Sequence, residues 1–183
     1  GGESIALETA REYIREDSEV VIKHFPMGKK DRVIKALEAY EFIESKLREG
    51  KNVAFLTIGD PYVYSTYSHM LKHMKDDGFE VETIPGITSF CAAASLVDRT
   101  LVVGNENLVV MPATKIKEIT NEKFIVVMKV YKHEEEVLNT LEEKGFDYVY
   151  ASRVGREGQI VLTDREEILK VRDYMSLIIA SRE

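Results

Sequence analysis

Cysteine is nearly absent from this 183-residue chain: Cys91 stands alone. A single thiol excludes an internal disulfide framework and a thiolate metal site. Long apolar runs are also lacking, and no stretch approaches the roughly 20 residues that cross a bilayer. The first residues have neither the basic start nor the apolar core of a secretion signal, so the expectation is a cytoplasmic protein without membrane contact. Positive charge is in deficit as well. A formal net charge of −7 argues against nucleic acid or an anionic membrane as the main partner, because those partners demand a basic stripe. Repeats, low-complexity segments and a GxxxxGK[ST] phosphate loop are missing too. His69 and His73 stand at i and i+4, a spacing that suits a metal, but no third ligand accompanies them and Lys72 and Lys75 are neighbours. They are read as surface histidines, with no metal site.

What is present is an α/β rhythm. With 44% hydrophobic residues, the chain supports one sizeable core or two smaller domains. Periodicity predicts a helix over Ser4 to Arg15, a strand over Glu19 to Phe25 and a helix over Lys30 to Glu49, with Val33, Ile34, Leu37 and Tyr40 on its buried side and Gly50 as its stop. A strand follows over Val53 to Ile58, then a helix from Pro61 to about Asp77, a strand over Glu80 to Ile84, a helix from Ser89 and a short strand over Leu108 to Met111. Pro112 and Ala113 break that strand, so the domain boundary is placed there: residues 1–113 and 114–183. The second part reads as strand Phe124 to Val130, helix Glu134 to Lys144, strands Tyr148 to Ser152 and Gln159 to Leu162, helix Arg165 to Lys170 and strand Ser176 to Ala180. The Glu134-Glu135-Glu136 run is an ordinary acidic helix start. The first sheet is expected to be mostly parallel and the second mixed.

Two loops carry the chemistry. Gly59-Asp60-Pro61 and Pro85-Gly86 each follow an apolar strand and each is expected to open a helix. That places two helix starts and accessible backbone at the carboxyl edge of a sheet, where open α/β proteins hold small ligands. Gly59 permits close approach, and Asp60 is either a helix cap before Pro61 or a ligand contact. Thr88 and Ser89 stand at the second helix start, followed by the small residues Cys91 to Ser95.

The string Gly59-Asp60-Pro61-Tyr62-Val63-Tyr64-Ser65-Thr66, with Ile84-Pro85-Gly86-Ile87-Thr88-Ser89-Phe90 behind it, resembles the tetrapyrrole methylases. His24-Phe25-Pro26-Met27, Val109 to Ala113 and Phe124 to Val130 extend the likeness, most closely to the C20-methyltransferases acting on precorrin-2 or cobalt-factor II in cobalamin synthesis. The resemblance implies two αβα domains of the tetrapyrrole methylase type. Family members begin with a strand and a Gly-Pro-rich loop, whereas this chain begins at Gly1-Gly2-Glu3-Ser4. The expectation is that those residues belong to the parent protein and are omitted here.

It also implies S-adenosylmethionine as cofactor, S-adenosylhomocysteine as product, a tetrapyrrole substrate and a homodimer. In the family the cofactor lies folded between the domains. By matching motifs, Ile58, Gly59, Asp60 and Val63 would hold its amino-acid and sugar portions, Thr88 and Ser89 would lie beneath it, Met128 would cover the adenine and Gly155 would contribute backbone. Substrate carboxylates call for basic groups, for which Arg153 and Arg156 are the candidates, with Lys129 and Lys132 behind them. Tyr62 and Tyr64 offer a flat surface for the macrocycle. Tyr62, Tyr64 and Tyr67 are within reach for proton removal, but an unperturbed tyrosine is a poor base at neutral pH, so no catalytic acid or base is assigned. Two other readings stand beside this one. A related methylase would act on another ring carbon, a diphthine precursor or ribosomal RNA. A noncatalytic module would hold nucleotide phosphate on helix N-termini.

Overall fold

The computed structural model describes residues 4–25 and 29–183, with side chains omitted for residues 29–33. Contacts divide the chain into two compact units, Gly1–Ile87 and Thr88–Glu183.

The first unit is organised by helices. α1 (Ile5–Ala10) is capped by Ser4, whose hydroxyl accepts from Leu7 N, and runs into a 3-10 turn over Arg11–Tyr13. α2 (Lys29–Arg48) ends before Gly50, whose φ of 79° is the left-handed geometry that stops helices. α3 (Tyr67–Asp76) closes the same way before Gly78. Ala39 and Tyr40 of α2 pack against Met70 and Met74 of α3, with Phe25, Phe55, Phe79 and Val81 laid on this small core. Ile34 and Leu37 are exposed, so the buried side of α2 is narrower than its periodicity suggested.

Expected strands over residues 19–25, 53–58 and 80–84 are unpaired among the described residues. A strand is defined by a hydrogen-bonded neighbour about 4.8 Å away, and these segments have none. Their apolar side chains at Val20, Ile22, Leu56, Ile58 and Ile84 consequently face solvent. Residues 26–28, which include Pro26 and Met27 of the string quoted above, lie outside the described residues.

The second unit is a five-stranded mixed sheet. Its strands are β1 (Leu108–Pro112), β2 (Phe124–Met128), β3 (Asp147–Ser152), β4 (Ile160–Leu162) and β5 (Ser176–Ser181), in the order β1-β2-β5-β3-β4. β1 and β2 run parallel and every other pair is antiparallel. α4 (Ser89–Leu96) covers one face, where Ala93 and Ala94 pack on Val126, Val149, Ala151, Leu177 and Ile179. α5 (Glu134–Glu143) and α6 (Arg165–Lys170) cover the other, around Ile125, Val127, Tyr150 and Ile178. β2 and β5 are nearly fully buried, as central strands covered on both faces must be.

The contact division at Ile87 and Thr88 differs from the boundary read at Ala113. The Pro112-Ala113 break ends β1 and begins a 3-10 turn, but β1 is hydrogen-bonded along its length to β2, so its chain partner lies beyond the break rather than before it.

Candidate functional site

In the first unit the two loops meet at Asp60. Its Oδ1 accepts from Tyr62 N at 2.8 Å, closing an Asx turn, and its Oδ2 accepts from Gly86 N at 3.1 Å. Asp60 is therefore not the cap of the following helix: α3 starts at Tyr67, with Thr66 before it, and Pro61 to Ser65 form a turn that includes Val63 N donating to Asp60 O at 3.2 Å. Two positive φ values, 71° at Gly59 and 50° at Tyr64, fold this turn back on itself. The approach of the loops is close enough to dictate residue type. A Cβ on Gly86 would stand 2.1 Å from Gly59 O, so only glycine fits opposite Gly59.

Ser65 fastens the end of the turn: its hydroxyl is 3.2 Å from that of Thr57 and accepts from Tyr67 N at 3.2 Å. Around the Asp60 link the apolar side chains of Ile58, Tyr62, Tyr64, Ile84 and Ile87 are exposed, Ile84 to 79% and Ile87 to 73%. Tyr67 is different. It is buried, and its hydroxyl is hydrogen-bonded to Thr83, which removes it from the tyrosines available for proton transfer.

In the second unit, Thr88 caps α4 and accepts from Cys91 N at 3.4 Å, with Ser89 as the first, exposed helical residue. Met128 ends β2, half-buried, on the sheet face that α4 covers. Beyond β3 the chain turns sharply, with positive φ at Arg153, Gly155 and Gly158. Gly155 is required by its φ of 73° and not by close approach, and its N–H is given to Gln159 Oε1 at 2.7 Å.

Arg153 is exposed to solvent but not loose, since its Nε donates to Asp173 Oδ2. Asp173 Oδ1 in turn accepts from Met175 N at 2.8 Å. Burial works against ionisation of Asp173, yet the Arg153 hydrogen bond, the Met175 amide and the Arg153 charge outweigh it and hold the carboxyl below its ordinary value. The sequence gives no hint of this pair, because Asp173 carries no motif and only the β3–β5 pairing brings it near Arg153. Arg156 is half-buried, and its N–H donates to Arg153 O at 2.9 Å within the same turn. Among the described residues no group of three or more His, Cys, Asp or Glu is placed to hold a metal ion.

Comparison with known proteins gives these loops a context. The profile of the Tetrapyrrole (Corrin/Porphyrin) Methylases matches residues 1–169. The chain belongs to this family. A protein of Methanocaldococcus jannaschii named as a probable cobalt-precorrin-2 C(20)-methyltransferase is 34% identical, with 100% of this chain and 80% of that protein covered. The cobalt-precorrin-2 C(20)-methyltransferase of Salmonella typhimurium is 31% identical over 72% of this chain, which spans 58% of that protein. The fold agrees: the uroporphyrin-III C-methyltransferase of Thermus thermophilus, solved with S-adenosylhomocysteine, superposes with a TM-score of 0.64 at 17% identity, covering 80% of this chain and 73% of that one. No helix among the described residues of this methylase is long and apolar enough to cross a membrane.

Proposed function

We propose that this methylase uses S-adenosylmethionine to methylate C20 of precorrin-2 or its cobalt-containing counterpart in cobalamin biosynthesis. The observation that carries the reading is likeness along the whole chain to a protein named for that reaction, rather than over one motif. When bound, S-adenosylmethionine supplies an electrophilic methyl group on a sulfonium, so the protein's work is alignment and exclusion of water.

The residues suit that cofactor. Asp60 keeps lone pairs after accepting its two backbone bonds and offers them to an ammonium or sulfonium. Gly59 has no side chain to obstruct a ligand beside it, and the exposed apolar surface of Ile58 and Ile84 suits the ribose and thioether portions. In the second unit Thr88, Ser89, Met128 and the Gly155 carbonyl are the proposed contacts. Tyr62 and Tyr64 present exposed rings suited to a flat macrocycle, and Arg153 presents a fixed cation suited to its carboxylates. No side chain is assigned a proton-transfer role. A homodimer, on family likeness, completes the reading, with the cytoplasm as the expected compartment.

Product mass after incubation with S-adenosylmethionine and, in parallel, precorrin-2 and cobalt-factor II tests it. Gain of one methyl on one acceptor supports the C20 assignment and chooses between the metal-free and cobalt routes. No gain on either, with S-adenosylhomocysteine binding shown by calorimetry, rejects the acceptor and leaves the cofactor assignment standing.

A further inference from the structure

Lys132 occupies a backbone position that suits glycine. The turn after β2 is closed by His133 N donating to Val130 O at 2.8 Å, and Lys132, its third residue, has a φ of 68°. Left-handed backbone at that place in a turn favours glycine, and a lysine there is strained. An outlier of this kind directs attention to the side chain. The Lys132 ammonium stands over the Tyr131 ring, 5.2 Å from its centroid, on an exposed residue that meets no carboxylate among the described residues.

Tyr131 continues this surface. Its ring packs edge-on to Tyr174, with centroids 6.3 Å apart and planes at 75°, and Tyr174 is 52% exposed. Tyr174 in turn lies between Asp173, which holds Arg153, and Met175, whose carbonyl accepts from Arg153 N at 3.1 Å. The register explains the grouping. Met128 of β2 and Ala151 of β3 both stand opposite Leu177 of β5, so β2 and β3 end at one edge of the sheet with the start of β5 between them. The strands that lead to Lys132 and Arg153 are therefore two strand spacings apart, about 10 Å, and the aromatic pair lies along the edge that joins them.

We propose that Lys132, with the Tyr131–Tyr174 pair, forms a subsite for one carboxylate arm and the adjoining ring edge of the tetrapyrrole substrate. The inference rests on the tetrapyrrole reading above and adds specificity residues to it. A flat conjugated ring with carboxylates on its rim calls for cations spaced apart and aromatic surface between them, and this edge supplies that order: Lys132, Tyr131, Tyr174, Arg153. Tyr131 holds the ammonium by cation–π attraction before any ligand arrives, so less side-chain freedom is lost on binding. Asp173 does not neutralise it, because that carboxylate is taken up by Arg153 and the Met175 amide.

Titration of precorrin-2 and cobalt-factor II into the full-length protein, followed by their absorption, tests this subsite in wild type, Lys132→Gly, Lys132→Arg and Tyr174→Ala, with S-adenosylhomocysteine affinity and melting temperature measured alongside. Lys132→Gly is expected to weaken tetrapyrrole binding about three- to fivefold, the scale of an exposed ion pair. Its S-adenosylhomocysteine affinity holds, and its melting temperature stays level or rises because glycine relieves the left-handed strain. Lys132→Arg keeps the charge and the affinity, Tyr174→Ala loses affinity for the tetrapyrrole alone, and added salt narrows the gap between wild type and Lys132→Gly. Unchanged tetrapyrrole affinity in Lys132→Gly, an equal loss of S-adenosylhomocysteine affinity, or the same loss in Lys132→Arg would overturn the inference and leave the reading of the enzyme intact. Wild-type protein that binds neither tetrapyrrole would overturn both.

Discussion

Asp60 accepts a hydrogen bond from the Gly86 amide, 26 residues along the chain, at 3.1 Å, while its other oxygen holds the Tyr62 amide at 2.8 Å. One carboxylate therefore fixes both loops of the first unit, a role that neither a helix cap nor a simple cofactor contact would require. Asp60→Ala removes both bonds. The side chain is partly exposed, so the loss to folding is about 1–2 kcal/mol, a shift of a few degrees in melting temperature. Affinity for S-adenosylhomocysteine, read by calorimetry, is expected to fall at least about tenfold, more than the stability change alone would produce. Asp60→Asn retains one acceptor oxygen and is expected to fall between the two. Unchanged affinity in the folded alanine variant would remove Asp60 from the cofactor site.

Gly86 makes a sharper test, because space rather than chemistry decides it. An alanine Cβ there would meet Gly59 O at 2.1 Å and Gly59 C at 3.0 Å, both backbone atoms that cannot rotate away. Gly86→Ala is expected to separate the loops, break the Asp60 bond and abolish cofactor binding. Gly78→Ala is the control. Gly78 has a φ of 79° but nothing within 4 Å, so alanine costs only the left-handed strain of about 1–2 kcal/mol. It should lower the melting temperature and leave binding intact. Equal loss of binding in both variants would mean that general destabilisation, not loop approach, is being read.

The second unit was largely legible in the sequence, and the reasons are local. Phe124 to Met128 is a continuous apolar run of strand length and Leu177 to Ala180 is the apolar centre of another strand, and Arg165 to Lys170 follows Asp164, which caps it by accepting from Glu167 N at 2.9 Å. The first unit was legible only in its helices. Val53 to Ile58 carries a strand pattern, but a pattern reports side-chain alternation and cannot report whether a neighbour exists to pair with. The site divided along the same line. Glycines and caps follow from short-range rules, as at Gly59 and Thr88, whereas Asp60 with Gly86 and Arg153 with Asp173 are partners joined by the fold, and no local signal marks them. The Asp60-Pro61 pair misled for a physical reason. The carboxylate is used on Tyr62 N and Gly86 N, and the helix begins six residues beyond Pro61, at Tyr67.

Tyr148 supplies a prediction at high pH. Burial, then the hydrogen bond to Glu142 at 2.6 Å and the charge of that carboxylate, push its phenol from an ordinary value of 10.0 up to about 12. The folded protein thus resists ionisation that the unfolded chain allows. The stabilisation is fully present below about pH 10 and is lost as the pH rises toward about 12. Tyr148→Phe should flatten the alkaline limb of stability against pH, measured by denaturant titration, and remove one late-titrating phenol from the ultraviolet spectrum. A Tyr148 signal that titrates near pH 10 would show the Glu142 bond to be absent in solution.

Asp173 predicts the acid side and connects it to the substrate. Its carboxyl is held below the ordinary value against the opposing effect of burial, chiefly by Arg153 and the Met175 amide. A depressed carboxyl contributes stability above its unfolded value of about 4, and that contribution is lost as pH falls from there through the folded value. Asp173→Asn should therefore lower stability at neutral pH and show a shallower decline below about pH 4. If Arg153 binds a substrate carboxylate, Asp173 acts by aiming it. The asparagine variant, assayed on the precorrin-2 substrate that is methylated, should raise KM several-fold with kcat nearly unchanged, and Arg153→Ala should raise it further. A fall in kcat at constant KM would instead place the pair's influence on the aligned cofactor, through the turn that carries Gly155.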